Sequence, residues 1–174
     1  MRIGMILAVL YFLLASALTY AADELHVSGN LATLSDAPGI KFETSGWKHS
    51  NSSNPFLLTP DELTNAMVGV SRLRPGTPFL TNGPVIPKSL DAATVQVLLS
   101  ERLRGKSNLS VSTETIGGRQ VAVARYSDPY SRRIEYAFAL KQHLVHVMLI
   151  AKEGRYFDSG NQVARKVVQT LKPL

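Results

Sequence analysis

The stretch from residue 109 to residue 150 constrains this chain most, because it reads as four consecutive strands joined by tight turns. Leu109-Ser110-Val111-Ser112 alternates apolar and polar residues, and Gly117-Gly118 offers two adjacent positions free to take positive φ, as a two-residue hairpin requires. On the return, Val121 and Val123 alternate with Ala122 and Ala124, and Asp128-Pro129 marks the next turn. Residues 134–140 and 144–150 read as two further strands. The last is apolar at both odd and even positions, so it is predicted to lie centrally in a sheet covered on both faces. Hairpin-linked strands pair antiparallel.

The segments before and after this meander supply helices. Asp36-Ala37-Pro38-Gly39 breaks the region 25–50 into short strands, with Ile40, Phe42 and Trp47 in the extended chain that follows. Residues 49–55 are a polar loop. Thr59-Pro60-Asp61-Glu62 has the form of a helix start, with Thr59 as N-cap and Glu62 completing a capping box. Residues 67–73 read as a strand. Four prolines and two glycines in residues 75–87 then make a long irregular connection. Ser89 is placed as the N-cap of a helix running to Arg104 and stopped by Gly105. Val95, Leu98, Leu99 and Leu103 form its inner face, with Glu101, Arg102 and Arg104 outside. A closing helix, capped by Asp158 or Ser159, buries Val163, Val167 and Leu171 and ends at Pro173. Separate helices with a contiguous run of hairpin strands predict an α+β layered domain, its helices packed on an antiparallel sheet.

The amino terminus has a different character. Met1-Arg2 supplies one charge and residues 3–18 carry none, a charged then apolar pattern typical of a secretory leader. Ala15-Ser16-Ala17 and Thr19-Tyr20-Ala21 are candidate processing sites. The expected organisation is a signal peptide over 1–22 and a single α+β domain over 23–174, periplasmic or secreted. The apolar run is slightly short of the roughly 20 residues of a membrane helix, so no membrane span is expected after cleavage. With 45% hydrophobic and 18% charged residues the chain is globular in composition. It has no cysteine, which excludes thiol chemistry and cysteine-bound metals. Its net charge of +6 includes no run of more than two basic residues, so no nucleic-acid tract is expected.

Several of these features together resemble the Mog1/PsbP-like family, in particular the bacterial exported members grouped with the DcrB phage-adsorption protein. The resemblance rests on Gly46-Trp47 in an early extended segment, a helix before the meander, Gly117-Gly118 opening it, and the closing stretch from Val163-Ala164-Arg165 to Leu171-Lys172-Pro173. It covers residues 34–174. It implies a layered α+β fold; members of that family bind proteins, serve as assembly factors or have no assigned role, and the resemblance brings no catalytic motif.

The residues themselves give little sign of catalysis. His143 and His146 lie three apart in a predicted strand, on opposite faces, which makes a poor metal pair. The G-x-S-x-G spacing of a serine hydrolase is absent, and the 13 acidic residues are dispersed. No enzyme, no cofactor and no metal are expected. The distinctive surface motif is the turn from Arg125 to Arg133, where Arg125, Tyr126, Tyr130, Arg132 and Arg133 crowd one hairpin. Tyrosine and arginine are enriched at interface hot spots, so these five residues are the expected binding site. Arg155-Tyr156-Phe157 would extend the patch if it shares a face with them. The function expected is a non-enzymatic protein-binding module of the bacterial envelope. Its alternatives are an immunity protein that neutralises a periplasm-acting, type VI-like effector toxin, and a small-molecule or lipid-binding module.

Overall fold

The computed structural model describes residues 25–34, 39–49, 55–60, 65–152 and 154–174. Its strands are β1 (Leu25–Ser28), β2 (Leu31–Leu34), β3 (Ile40–Glu43), β4 (Lys48–His49), β5 (Phe56–Thr59), β6 (Ala66–Leu73), β7 (Ser110–Ile116), β8 (Arg119–Asp128), β9 (Ser131–Leu140), β10 (His143–Ala151) and β11 (Lys172–Pro173). Two helices accompany them, α1 (Ala92–Arg102) and α2 (Arg155–Thr170).

The meander forms as its turns dictate. Gly117 and Gly118 take φ of 59° and 78°, and β7 pairs with β8 without a skipped residue from Ser110↔Arg125 to Ile116↔Arg119. Strand β9 follows β8, β10 follows β9, and β10 pairs on its other side with β6. The order of this seven-stranded sheet is β4-β5-β6-β10-β9-β8-β7, all antiparallel. The apolar strand β10 is therefore central, as its sequence predicts. A smaller sheet has the order β1-β2-β3-β11.

Both faces of the large sheet are covered. Strands alternate their side chains, so one set of residues meets α2 and the small sheet. Val121, Val123, Tyr136, Phe138, Val145 and Val147 pack there with Phe42, Leu34, Val163 and Val167. The other set, including Ala122, Ala124, Ala137 and Leu144, meets Val95, Leu98, Leu99 and Leu103 from α1. Residues 75–87 also cover this second face. They fold into a tight hairpin-like loop in which Gly76 N–H donates to the Ile86 carbonyl (2.7 Å) and Phe79 N–H to that of Pro84 (2.8 Å). Phe79 and Ile86 are fully buried by it, so the proline-rich connection is part of the core.

Four expectations need correction or restriction. The N-cap of α1 is Asp91, not Ser89: its carboxylate accepts from Thr94 N–H at 2.7 Å. Helix α2 starts at Arg155, before Asp158, with Gly154 at positive φ and no capping side chain. Arg102 turns inward beneath α1 and does not face solvent. Thr59 ends strand β5, and the helix expected after it, like the signal peptide and the Asp36-Ala37-Pro38 break, falls on residues outside those described.

Candidate binding site at the β8–β9 hairpin

Strand register decides which of the turn's side chains share a face. The loop between β8 and β9 has two residues, Pro129 and Tyr130, and Asp128 pairs with Ser131. It follows that Tyr126 lies opposite Arg133, Ser127 opposite Arg132, and Arg125 opposite Ile134. Neither loop residue has positive φ, so this is not a primed hairpin turn. A side chain holds it instead. The Asp128 carboxylate accepts from Tyr130 N–H (3.0 Å), Ser131 N–H (2.8 Å) and the Ser131 hydroxyl (2.9 Å), and pairs with Arg133 (2.8 Å). Partial burial works to raise its carboxyl, yet these donors outweigh it and hold the group below the usual carboxylate range.

The five expected residues occupy three places. Tyr130 stands at the tip and is 87% exposed. Tyr126 and Arg133 lie on the α1 side, the guanidinium over the tyrosine ring at 5.9 Å, with Tyr126 buried. Arg125 and Arg132 lie on the α2 side. There Arg125 and Arg165 clamp Glu114 at 2.7 and 2.9 Å, while Arg132 stacks on Phe157 at 4.1 Å from the ring centre. Arg132 thus links the hairpin to Arg155-Tyr156-Phe157, and Arg155 lies 5.0 Å from the Tyr156 ring centre. Tyr130 and Arg132 remain open to solvent; Tyr126 is committed to the interior.

Beneath the hairpin lies a buried polar cluster. Glu135, with 0% exposure, accepts from the Tyr126 hydroxyl, meets Arg102 from α1, and lies 2.7 Å from His146 Nε2. Phe79 of the proline-rich loop closes it, edge-on to the His146 ring at 5.2 Å and beneath the Arg102 guanidinium at 5.2 Å. Burial, reinforced by the Arg102 charge, pushes the His146 imidazole well below its ordinary pKa. That favours the neutral ring, and a neutral imidazole facing a carboxylate donates to it from Nε2. Arginine, glutamate, histidine and tyrosine are familiar catalytic types, but a substrate has no access to a carboxylate and an imidazole 0% and 1% exposed. They form an internal ion cluster that ties α1, the loop and the hairpin together.

Sequence reasoning missed Asp128 as the turn's lock and Glu135 as a buried charge. Both left a trace: Asp before Pro with Ser at the fourth position is an Asx-turn pattern, and Glu135 interrupts the otherwise apolar run from Ile134 to Leu140. His143 lies apart from this cluster, and among the described residues no group of three His, Asp or Glu is placed to hold a metal ion.

No protein-family model and no curated protein matches the sequence. Among solved structures, the chain is similar to a Bacteroides thetaiotaomicron protein with 11% identity and a TM-score of 0.48 over 88% of this chain and 49% of that one. The chain thus spans about half the length of that protein. It is similar to the cyanobacterial PsbP (CyanoP) of Synechocystis with 10% identity and a TM-score of 0.49, over 90% of this chain and 99% of that one. A third likeness is to LpqN, involved in cell envelope biogenesis of Mycobacterium tuberculosis, with 15% identity and a TM-score of 0.33 over 86% and 81% of the two chains. At these values the likenesses say nothing of what the chain does.

Proposed function

We propose that this chain is an exported, non-enzymatic protein-binding module of the bacterial envelope that engages its partner through the tip of the β8–β9 hairpin. The observation that carries the reading is Tyr130: a large aromatic side chain, 87% exposed, on a turn in which its own N–H and that of Ser131 are tethered to the Asp128 carboxylate. An aromatic presented on a pre-ordered turn binds without a large ordering cost. Arg132, aligned by Phe157, offers a guanidinium beside it for a carboxylate on the partner. The sealed state of Glu135 and His146 supports the non-enzymatic reading, and the charged-then-apolar leader pattern supports export.

Within this reading the partner is an envelope component or, in the immunity form, a periplasm-acting toxin. The test is affinity capture from envelope extract with the protein recovered after expressing the full chain, beside Tyr130→Ala and Arg132→Ala variants. The reading requires a stoichiometric partner held by the wild type and lost from both variants. A partner retained equally by all three, or no retained protein, refutes it.

A further inference from the structure

Four strands end a sheet among the described residues, and three of them are blunted. Strands β4 and β11 have two residues each, with Lys48 and Pro173 respectively, and β1 has four. Strand β7 is different. It runs seven residues in unbroken register, contains neither proline nor lysine, and is rich in branched side chains at Val111, Thr113, Thr115 and Ile116. Its one charge, Glu114, is drawn aside by Arg125 and Arg165. Such an edge offers backbone N–H and C=O groups without the devices that keep other strands away.

The strand is also complementary to itself. With Thr113 opposite its own counterpart in antiparallel register, Ser112 faces Glu114, Val111 faces Thr115 and Ser110 faces Ile116. No like charges oppose each other, and every residue keeps its face of the sheet.

A second feature stands at the same level. The Thr113 hydroxyl donates to Gln96 Oε1 of α1 at 2.9 Å. Gln96 belongs to an open groove of about 430 Å³ lined by Ala93, Gln96, Val97, Ser100, Glu101 and Arg104. Val97 in that groove is 55% exposed, while Val95, Leu98 and Leu99 point inward. Near Thr113 this flank is uncharged; Glu101 and Arg104 lie farther along the helix. Since α1 packs across β7, β8 and β9, joining two copies at β7 sets their α1 helices about 14 Å apart, three strand spacings. That exceeds the roughly 8–10 Å of direct helix packing, so the two α1 helices stand apart without clashing and the strands carry the contact.

We infer that the β7 edge is an interface for a second copy of this chain. The two β7 strands pair antiparallel about Thr113, joining two seven-stranded sheets into one continuous sheet by an isologous two-fold contact. The seam is small beside the roughly 1,200 Å² of the smallest stable interfaces, so the dimer forms in a concentration-dependent way.

The protein recovered after expressing the full chain is examined by sedimentation equilibrium from about 10 μM to about 1 mM, a span that brackets weak affinities. The expected result is a rise from one to two chain masses, abolished by Thr113→Lys with the circular dichroism spectrum unchanged. The chain has no cysteine, so Thr113→Cys introduces a single thiol at the two-fold axis. Under copper–phenanthroline oxidation it is expected to form covalent dimers faster than Tyr130→Cys, although Tyr130 is 87% exposed. A single chain mass throughout, or cross-linking at Thr113→Cys no faster than at Tyr130→Cys, overturns the inference.

Discussion

The Arg102 guanidinium on α1 and the Glu135 carboxylate on β9 form an ion pair beneath the helix, the glutamate side chain wholly covered and the arginine 14% exposed. The same carboxylate serves Tyr126 and His146. Three elements distant in sequence therefore depend on one side chain for their polar partners.

Glu135→Ala is predicted to destabilise the fold by about 3–5 kcal/mol, because it leaves a buried arginine uncompensated. Replacing both partners, as Arg102→Met with Glu135→Leu, is predicted to cost less than Glu135→Ala alone. Urea unfolding of the two variants checks the order.

Stability is predicted to fall as the pH drops below about 6.5, the ordinary histidine value. His146, and more weakly His143, have lowered pKa values in the fold, through burial and then nearby arginines. Above that pH neither the folded nor the unfolded chain protonates these rings, so they contribute nothing to the slope. Below it the unfolded chain takes up protons that the fold refuses, which favours unfolding by up to about 1.4 kcal/mol per pH unit for each such group. His146→Gln is predicted to flatten most of this slope in unfolding midpoints measured between about pH 6.5 and pH 5.

Asp128→Ala is predicted to loosen the hairpin without unfolding the domain. The lost acceptor frees the Tyr130 and Ser131 N–H groups, at about 1–2 kcal/mol. Amide exchange at those two positions should accelerate while the centre of β10 stays protected.

Gly83→Ala is predicted to cost about 2 kcal/mol, the scale of releasing a buried phenylalanine. An added Cβ at residue 83 overlaps the Phe79 carbonyl group, and Phe79 is fully buried. Gly117→Ala is predicted to destabilise too, since φ is 59° and the new carbon would lie 2.7 Å from the Gln169 carbonyl oxygen. Thermal unfolding of each variant is the check.

The meander was legible because its signals are local: Gly117-Gly118 and Asp128-Pro129 fix turns, and period-two alternation between them fixes faces. The start of α1 was legible to within a few residues, since Ser89 and Asp91 are both good caps and only geometry selects the one that reaches Thr94. The start of α2 left no signal, because Gly154 enters the helix through its backbone alone. Arg102 in the last turn of a helix looks solvated in sequence; its counterion comes from a strand 33 positions later, and local pattern has no access to that distance. At the candidate site, the residue types were legible. Their division between two faces and a tip was not, since it follows from the Asp128↔Ser131 register.

The most direct test of the proposed role places a photo-activatable benzoylphenylalanine at position 130 of the full chain, in living cells of the source organism. The hairpin account predicts one discrete adduct with another envelope protein on irradiation, absent when the same group replaces Lys106, which is also exposed. No adduct from position 130, or the same adducts from both positions, would contradict it.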